Sequence, residues 1–417
     1  MSHYWKLIIA AILVVVIVAV AVLIRPMVHN PAGTTNSVTA STASSQLAST
    51  TASSTGVSQT IVTYPIAYGV NFPWYMYGQV NNPLTSELHL KWIRTQFPYP
   101  MYQQDLIGLI TYYHDSQILA MLAMGMMGGY RNQCKFTTSS HGASISSCEW
   151  TLSDWDEKVS QAVNTYPNVH VWEIWNEPEW YEGGYLCCDD NVTRMADHYF
   201  NMLRDAYKII KTHNPSDIVI AFGGNTLNYW SPDNWDWIWQ FTQQVWKLGA
   251  ANYCDAISLH AYTHGYTYLL NETLWGVTGS QYWTMALTSY ETLTGKPVWI
   301  TETGLASNGG GVGQERQAAF LNQSFTFFSQ LPYVKAVFWF IIEGNDNADL
   351  VSTGSDMGLI TMGPLNQQTP KPAFYMFQAF SQISVTSLSL YQPMGFFETS
   401  PITDTSTRAH RCVRTKV

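Results

Sequence analysis

The chain has 417 residues, which suits one large domain with extensions, or two domains. Charged residues make up only 12% of it, against roughly 25% in typical soluble domains, so its surface must be covered largely by uncharged polar side chains. The formal net charge is −9 and no basic stripe is present, so we expect no nucleic-acid partner.

The first predicted element is an uninterrupted run of 18 apolar residues at 7–24, preceded by the short flank 1–6. The run approaches the ~20 residues that cross a bilayer. It is longer than the apolar region of a cleaved signal peptide, which has about 7–15 residues. The sequence therefore favours an uncleaved transmembrane signal anchor, with a cleaved signal peptide as the alternative.

A Ser/Thr/Ala-rich segment follows at 25–60 and shows no hydrophobic periodicity. Such a composition cannot bury a core, so we expect a flexible linker. At the other end, 386–417 is polar and finishes with basic residues, and we expect this C-terminal extension to be partly disordered.

Between these ends, residues 61–385 alternate short apolar runs with longer amphipathic ones. The predicted strands are 66–71, 90–95, 118–124, 169–175, 218–223, 255–260, 297–302 and 336–342. The predicted helices are 101–114, 152–165, 191–213, 232–248, 280–294, 313–330 and 371–383. Strands separated by helices indicate a parallel sheet, and eight such units indicate a closed (β/α)₈ TIM barrel of the α/β class.

An open, doubly wound sheet is the alternative fold. It would require a glycine-rich turn after the first strand, and Gly69-Val70-Asn71 is not such a turn.

Two of the predicted strands end in a glutamate. The fourth runs into Asn176-Glu177-Pro178, and the proline should end the strand because it lacks an N–H group. The seventh ends at Glu302, two residues before Gly304. Catalytic residues of TIM barrels lie at the C-terminal ends of the strands, so both positions are candidate catalytic sites.

Strict alternation along the strands would direct both glutamates into the barrel. Glu177 then shares a face with Glu173 and Trp175, and Glu302 shares a face with Val298 and Ile300. Two convergent carboxyl groups suit glycosidic bond cleavage, in which one carboxyl is protonated and the other is ionised. A separation of about 5–5.5 Å would make the ionised group a nucleophile and the reaction retaining.

The motif Asn176-Glu177-Pro178, together with Glu302 on the seventh strand, resembles the clan A retaining glycoside hydrolases, most closely families 39 and 5 (cellulase-like). This resemblance covers the predicted barrel. It implies that Glu177 is the acid/base, that Glu302 is the nucleophile and that Asn176 binds the sugar 2-hydroxyl.

The resemblance implies roles for four further residues. Arg94 would hold the nucleophile in its ionised form, although an ion pair with Glu173 is also expected. Tyr262 would donate a hydrogen bond to the nucleophile, and His260 would lie beside the substrate. Trp339 would form the aromatic floor under the sugar at subsite −1, with simple core packing as the alternative.

The predicted loops after the strands are rich in aromatic residues, whose faces stack on sugars. They are Trp74, Tyr75, Tyr77, Tyr99, Tyr102, Trp180, Tyr181, Tyr185, Trp230, Tyr262 and Tyr266. They suit a groove for an extended glycan, and Trp180 and Tyr262 are the two assigned to substrate binding. The alternative is that an aromatic-rich protein carries rings everywhere.

No metal ion or cofactor is expected. The chain has no Cys-x-x-Cys pair, and Cys254 is expected to be a buried thiol. A metal-dependent barrel hydrolase would need a His-x-His on the first strand, where Gly69-Val70-Asn71 stands instead. The acidic Glu343–Asn347 segment could bind sugar or Ca²⁺, but a solvated loop is favoured.

The sequence thus predicts a membrane-anchored hydrolase that acts outside the cell on a β-linked polysaccharide, such as a β-glucan, mannan or xylan. Exo-action on oligosaccharides and a carbohydrate-binding protein without turnover are the alternatives. Secretion after signal cleavage is the alternative location.

Overall fold

The computed structural model describes residues 65–72, 82–97, 103–127, 135–138, 144–147, 150–179, 191–228, 232–263, 268–274, 276–307, 313–344, 356–361 and 367–385. The predicted anchor (7–24), linker (25–60) and C-terminal extension (386–417) lie outside these ranges. Within them, no helix is long and apolar enough to cross a bilayer.

Eight parallel strands form a closed barrel in which β8 pairs with β1. The strands are β1 (Ala67–Asn71), β2 (Trp92–Gln96), β3 (Gln117–Leu122), β4 (Val171–Ile174), β5 (Ile218–Asn228), β6 (Ala256–Tyr262), β7 (Val298–Gly304) and β8 (Val334–Trp339). Every strand pair in the barrel is parallel, and the order follows the chain. The predicted TIM barrel is therefore confirmed.

A helix follows each strand. The helices are α1 (Pro83–Glu87), α2 (Gln103–Tyr112), α3 (Leu152–Thr165), α4 (Val192–His213), α5 (Pro232–Lys247), α6 (Gly279–Thr294), α7 (Gln314–Ser329) and α8 (Pro372–Ile383). The seven predicted helices are all present. A small antiparallel hairpin also pairs Lys135–Thr138 with Ser144–Ser147.

Sequence periodicity did not reveal α1, because five residues make little more than one turn. Its start is nevertheless well defined, since the Asn82 side chain accepts a hydrogen bond from Leu84 N at 3.0 Å. Pro83 occupies the first helical position, where its missing N–H costs nothing.

Apolar residues fill the barrel interior toward the N-terminal ends of the strands. They are Ala67, Trp92, Leu119, Val171, Ile218, Ile220, Ala256, Trp299, Ala336 and Phe338. The ring of Trp299 stacks on Phe338 at 6.3 Å and meets the edge of Trp92 at 5.5 Å. Val385, which follows α8, packs against this cluster and accepts a hydrogen bond from Trp92 Nε1 at 2.7 Å. These side chains fill that end of the barrel, so the described part of the barrel interior leaves room for a pocket at the C-terminal ends of the strands.

The predicted alternation fails at the end of β4. Trp175 has a φ of 72°, and its ring packs on the helix side against Trp150 at 6.1 Å and Trp155 at 5.7 Å. It therefore does not share a face with Glu173, which is fully buried inside the barrel.

The alternation fails on β7 for a different reason. Val298 and Ile300 pack in the cluster between strands and helices, whereas Trp299 faces the barrel interior. The register with β6 then shifts between Ile300 and Glu302, as in a β-bulge. This shift, and not parity with Val298, directs Glu302 inward.

Candidate active site

Arg94, on β2, contacts polar residues from several strands at the C-terminal end of the barrel. Its side chain is only 2% exposed, and Nε lies 2.6 Å from Glu173 Oε2. Nη1 donates to Asn71 Oδ1 at 2.7 Å and to Glu302 Oε1 at 2.6 Å. Both ion pairs considered from the sequence are thus present.

Burial alone would lower the pKa of Arg94. The charges of Glu173 and Glu302, and the hydrogen bonds to both, more than offset this and raise the pKa above its ordinary value. Arg94 is therefore a permanent positive charge at the base of the pocket.

The remaining guanidinium nitrogen, Nη2, reaches toward the end of β4 and to β6. It lies 3.3 Å from Asn176 Oδ1 and 3.4 Å from His260 Nε2. A guanidinium offers only donors, so in the tautomer that pairs with it His260 Nε2 accepts. The imidazole hydrogen then sits on Nδ1, which donates to Glu177 Oε1 at 2.8 Å. His260 thus links the guanidinium to one of the two candidate catalytic carboxylates.

Both carboxylate oxygens of Glu302 receive hydrogen bonds. Oε1 receives one from Arg94, and Oε2 receives one from the Tyr262 hydroxyl at 2.7 Å. The Tyr262 ring is itself held in a small buried cluster with Ala306 and Met357. These contacts fix the orientation of the carboxylate.

Glu177 is held by an unusual backbone conformation. Its φ is 44°, and its N–H donates to Gly223 O at 2.9 Å. Gly223 has a φ of 53°, and a Cβ there would lie 2.2 Å from Trp175 O. The chain end of β4 can therefore approach β5 only because residue 223 has no side chain.

Gly224 makes space for His260. A Cβ at this position would lie 1.9 Å from His260 Nε2, and the φ of 82° is one that favours glycine. Its N–H donates to Ser258 Oγ at 2.7 Å. Gly223 and Gly224 were not among the residues predicted from the sequence, although a Gly-Gly pair at the end of a predicted strand was a usable signal.

The two predicted catalytic carboxyl groups are close together. A carboxylate oxygen of Glu177, a ring nitrogen of His260 and a carboxylate oxygen of Glu302 all lie within 4.8 Å of one another. The side chain of Glu177 is 20% exposed and that of Glu302 is 11% exposed, so both remain accessible from the pocket. This spacing suits a carboxylate pair that acts on one bond.

Two of the predicted substrate contacts need correction. Trp339 is fully buried, contacts Phe320 and Phe325 of α7, and donates from Nε1 to Met357 O at 2.9 Å. It faces the helices, so the core-packing alternative is correct. The next residue, Phe340, lies with its ring centroid 6.5 Å from that of Tyr262. Phe340 is therefore the aromatic residue of this segment that lies by the pocket.

His260 is also fully buried, so it lies between the carboxylates rather than on the pocket wall. Trp180 and the other predicted groove aromatics, apart from Tyr262, lie outside the described residues.

Comparison with known proteins supports the assignment of the fold. The chain aligns with a β-glycosidase, BGL167, at 12% identity and a TM-score of 0.55, covering 77% of this chain and 97% of that one. It aligns with a GH5_18 protein from Streptomyces cattleya in complex with GlcNAc at 14% identity and a TM-score of 0.54, covering 77% and 80%. A hyperthermophilic β-glucosidase from Pyrococcus furiosus gives 11% identity and a TM-score of 0.50, covering 78% and 97%.

No curated protein matches the sequence. Residues 130–363, more than half of the chain, match the family described as "Glycosyl hydrolase catalytic core". This range includes both candidate carboxylates, Glu177 and Glu302, as well as His260. The chain therefore belongs to the glycosyl hydrolase catalytic core family and is a glycoside hydrolase.

Proposed function

We propose that the protein is a retaining glycoside hydrolase that cleaves a β-linked polysaccharide outside the cell. Glu302 is the nucleophile and Glu177 is the acid/base. The observation that carries the proposal is the approach of these two carboxylates to within 4.8 Å at the C-terminal ends of β4 and β7. A pair about 5–5.5 Å apart leaves no room for a water between them, so one carboxylate must attack the sugar directly.

In the first step, a Glu302 oxygen attacks the anomeric carbon and the glycosidic C–O bond breaks. The departing oxygen takes the proton carried by Glu177. Arg94 and Tyr262 hold Glu302 in the attacking orientation, since they contact its two oxygens separately. The product is a glycosyl ester on Glu302.

In the second step, water attacks the anomeric carbon and gives its proton to Glu177. The ester bond breaks, and Glu302 regains its charge beside Arg94. Two inversions at the same carbon leave the anomeric configuration unchanged.

Asn176 would bind the sugar next to the reacting carbon. Its Oδ1 accepts from Arg94 Nη2, so Nδ2 is the part of the amide that is directed to a substrate hydroxyl. A hydrogen bond to the 2-hydroxyl strengthens as charge develops at the anomeric carbon, and so lowers the barrier.

The β-linkage is supported by the structural neighbours, which are described as a β-glycosidase and a β-glucosidase. The polysaccharide and endo-action are supported by the aromatic residues in the predicted loops. An exo-acting β-glycosidase is the second candidate within the same chemistry. A carbohydrate-binding protein without turnover is a weaker candidate, because both carboxylates and their hydrogen-bond partners are in place.

The location proposed is the cell membrane, with 7–24 as a single-pass anchor and the barrel outside the cell. The length of the apolar run supports it. Carbonate extraction of membranes and N-terminal sequencing test it. A soluble protein that begins after 24 would show a cleaved signal peptide instead.

The catalytic proposal is tested by incubating the full chain with β-glucans, mannan, xylan and aryl β-glycosides. Product release is followed by reducing-end assay, and the first-formed anomer is identified by NMR. Glu302→Ala should abolish cleavage, whereas Glu157→Gln, an exposed position on α3, should not affect it. A product of inverted configuration would refute the retaining mechanism, and binding without cleavage would favour the carbohydrate-binding alternative.

A further inference from the structure

Glu173 is a buried carboxylate that the mechanism above does not use. Glu173 lies on β4 and is 0% exposed, and its Oε2 lies 2.6 Å from Arg94 Nε. Oε1 makes no hydrogen bond to any residue that the structure describes. Desolvating a carboxylate is costly, and buried ion pairs can often be replaced by apolar residues without loss of stability. Stability alone therefore does not explain a glutamate here.

The position of Glu173 gives it an electrostatic connection to the nucleophile. Arg94 lies between two carboxylates, with Glu173 at Nε and Glu302 at Nη1, each 2.6 Å away. One positive charge is therefore shared between two negative charges. Interactions between charges are strong in such a water-excluded interior.

We propose that Glu173 is a positioning residue that offsets the charge of Arg94 and so keeps Glu302 reactive. The proposal rests on the roles proposed above for Glu302 and Glu177. If Glu173 were neutral, Arg94 would act on Glu302 alone and would stabilise its charged form more strongly. A more stabilised carboxylate is a poorer nucleophile, but it is a better leaving group from the glycosyl ester.

The other titratable groups near this row of charges are few among the described residues. The titratable groups that face Glu302 are Arg94 on β2, Glu177 at the end of β4, and His260 and Tyr262 on β6. On the helix side of β4, Tyr199 of α4 donates to Ile174 O at 3.1 Å. Burial raises the pKa of Tyr199 well above its ordinary value, so it stays neutral and does not replace the charge of Glu173.

The proposal predicts opposite effects on the two steps. Glu173→Gln keeps the size of the side chain and removes its charge, so glycosylation should slow on the order of tenfold. Deglycosylation, in which Glu302 regains its charge, should be unchanged or faster. The acidic limb of the pH profile for kcat/KM should move to lower pH. A purely structural role would slow both steps together and leave the limb in place.

The experiment uses the full chain and a series of aryl β-glycosides with leaving groups of increasing acidity. The kcat/KM values report glycosylation, and kcat for the 2,4-dinitrophenyl glycoside reports deglycosylation. Asp217→Asn is the matched control, because Asp217 is also a buried carboxylate beside β4 but contacts Trp172 Nε1 at 2.9 Å and not Arg94. It should not change the ratio of the two rates, even if it lowers the melting temperature.

Glu173→Asp is the second variant, and it decides the question if Glu173→Gln does not fold. It keeps the charge but draws it away from Arg94, so the rate ratio should shift in the same direction and by less. An unchanged ratio and pH limb in whichever variant folds would overturn the proposal. Labelling of the wild type with a 2-deoxy-2-fluoro glycoside separates this failure from another one. If Glu302 is not labelled, the proposed catalytic function itself is wrong.

Discussion

The Tyr262 hydroxyl donates to Glu302 Oε2 at 2.7 Å, on the oxygen that Arg94 does not contact. Tyr262→Phe keeps the buried ring and removes only this donor. We expect kcat/KM to fall by about ten- to a hundredfold, because Glu302 loses one of the two contacts that hold it in the attacking orientation.

Initial rates with an aryl β-glycoside measure this effect. Tyr375→Phe is the control, because Tyr375 is 57% exposed on α8 and far from the barrel interior. A Tyr262→Phe variant with wild-type kcat/KM would show that the hydroxyl does not hold Glu302 in its attacking orientation.

Gly224→Ala should disable the enzyme. The added Cβ would collide with His260 Nε2, and the φ of 82° is unfavourable for alanine. We expect His260 to be displaced from Glu177, activity to fall at least about tenfold, and stability to fall by ~1–3 kcal/mol. Urea unfolding and initial rates measure the two effects.

Gly108→Ala is the matched control. Gly108 lies in α2, and a Cβ there would meet nothing within 4 Å. Alanine should therefore stabilise the protein by about 0.5–1 kcal/mol without affecting the rate. Equal behaviour of the two variants would contradict the packing of Gly224 against His260.

The different orientations of Trp339 and Phe340 can be separated by mutation. Trp339→Phe removes the hydrogen bond to Met357 O and opens a cavity against α7, so it should lower stability by roughly 1–3 kcal/mol and leave KM unchanged. Phe340→Ala removes the ring beside Tyr262 and should raise KM for an oligosaccharide. The reverse pattern would restore Trp339 as the aromatic floor of the sugar site.

Cys254 should be unreactive in the folded protein. Burial raises its pKa to about 12, so the thiol is protonated at neutral pH, and its Sγ lies 3.4 Å from Ala250 O. Iodoacetamide should modify it only after unfolding, as measured by mass spectrometry of the peptide that contains it. Rapid modification of the native protein at pH 7 would contradict its burial.

The fold was accessible from the sequence because each barrel element carries its own periodicity. Local capping residues set where two helices begin. Thr151 and Asp154 form the cap of Leu152–Thr165, and Asn191 caps Val192–His213. Such signals are readable along the chain. A single-turn helix such as Pro83–Glu87 has too little periodicity to be found in this way.

The site was accessible only in part. Polar residues that end apolar strands identified Glu177 and Glu302, but the reason given, strict alternation, was wrong for both. The inward turn of Glu177 depends on a backbone contact with Gly223, and that of Glu302 depends on the register between β6 and β7. Both are contacts between distant parts of the chain, which periodicity along one strand does not contain. For the same reason, the aromatic residue by the pocket was assigned to Trp339 and not to Phe340, the next residue in the chain.

The closure of the barrel has a consequence for how the protein folds. Ala67 of β1 pairs with Ala336 of β8, and Tyr68 N donates to Ser384 Oγ at 2.8 Å across 316 positions of sequence. Both edges of β1 are therefore paired only after β8 has formed and joined the barrel. Contacts this distant in sequence slow folding, and until they form β1 exposes a free edge that can pair with another chain. Synthesis from the N-terminus prolongs that interval, so the period in which β1 can pair with another chain ends only when β8 has been made.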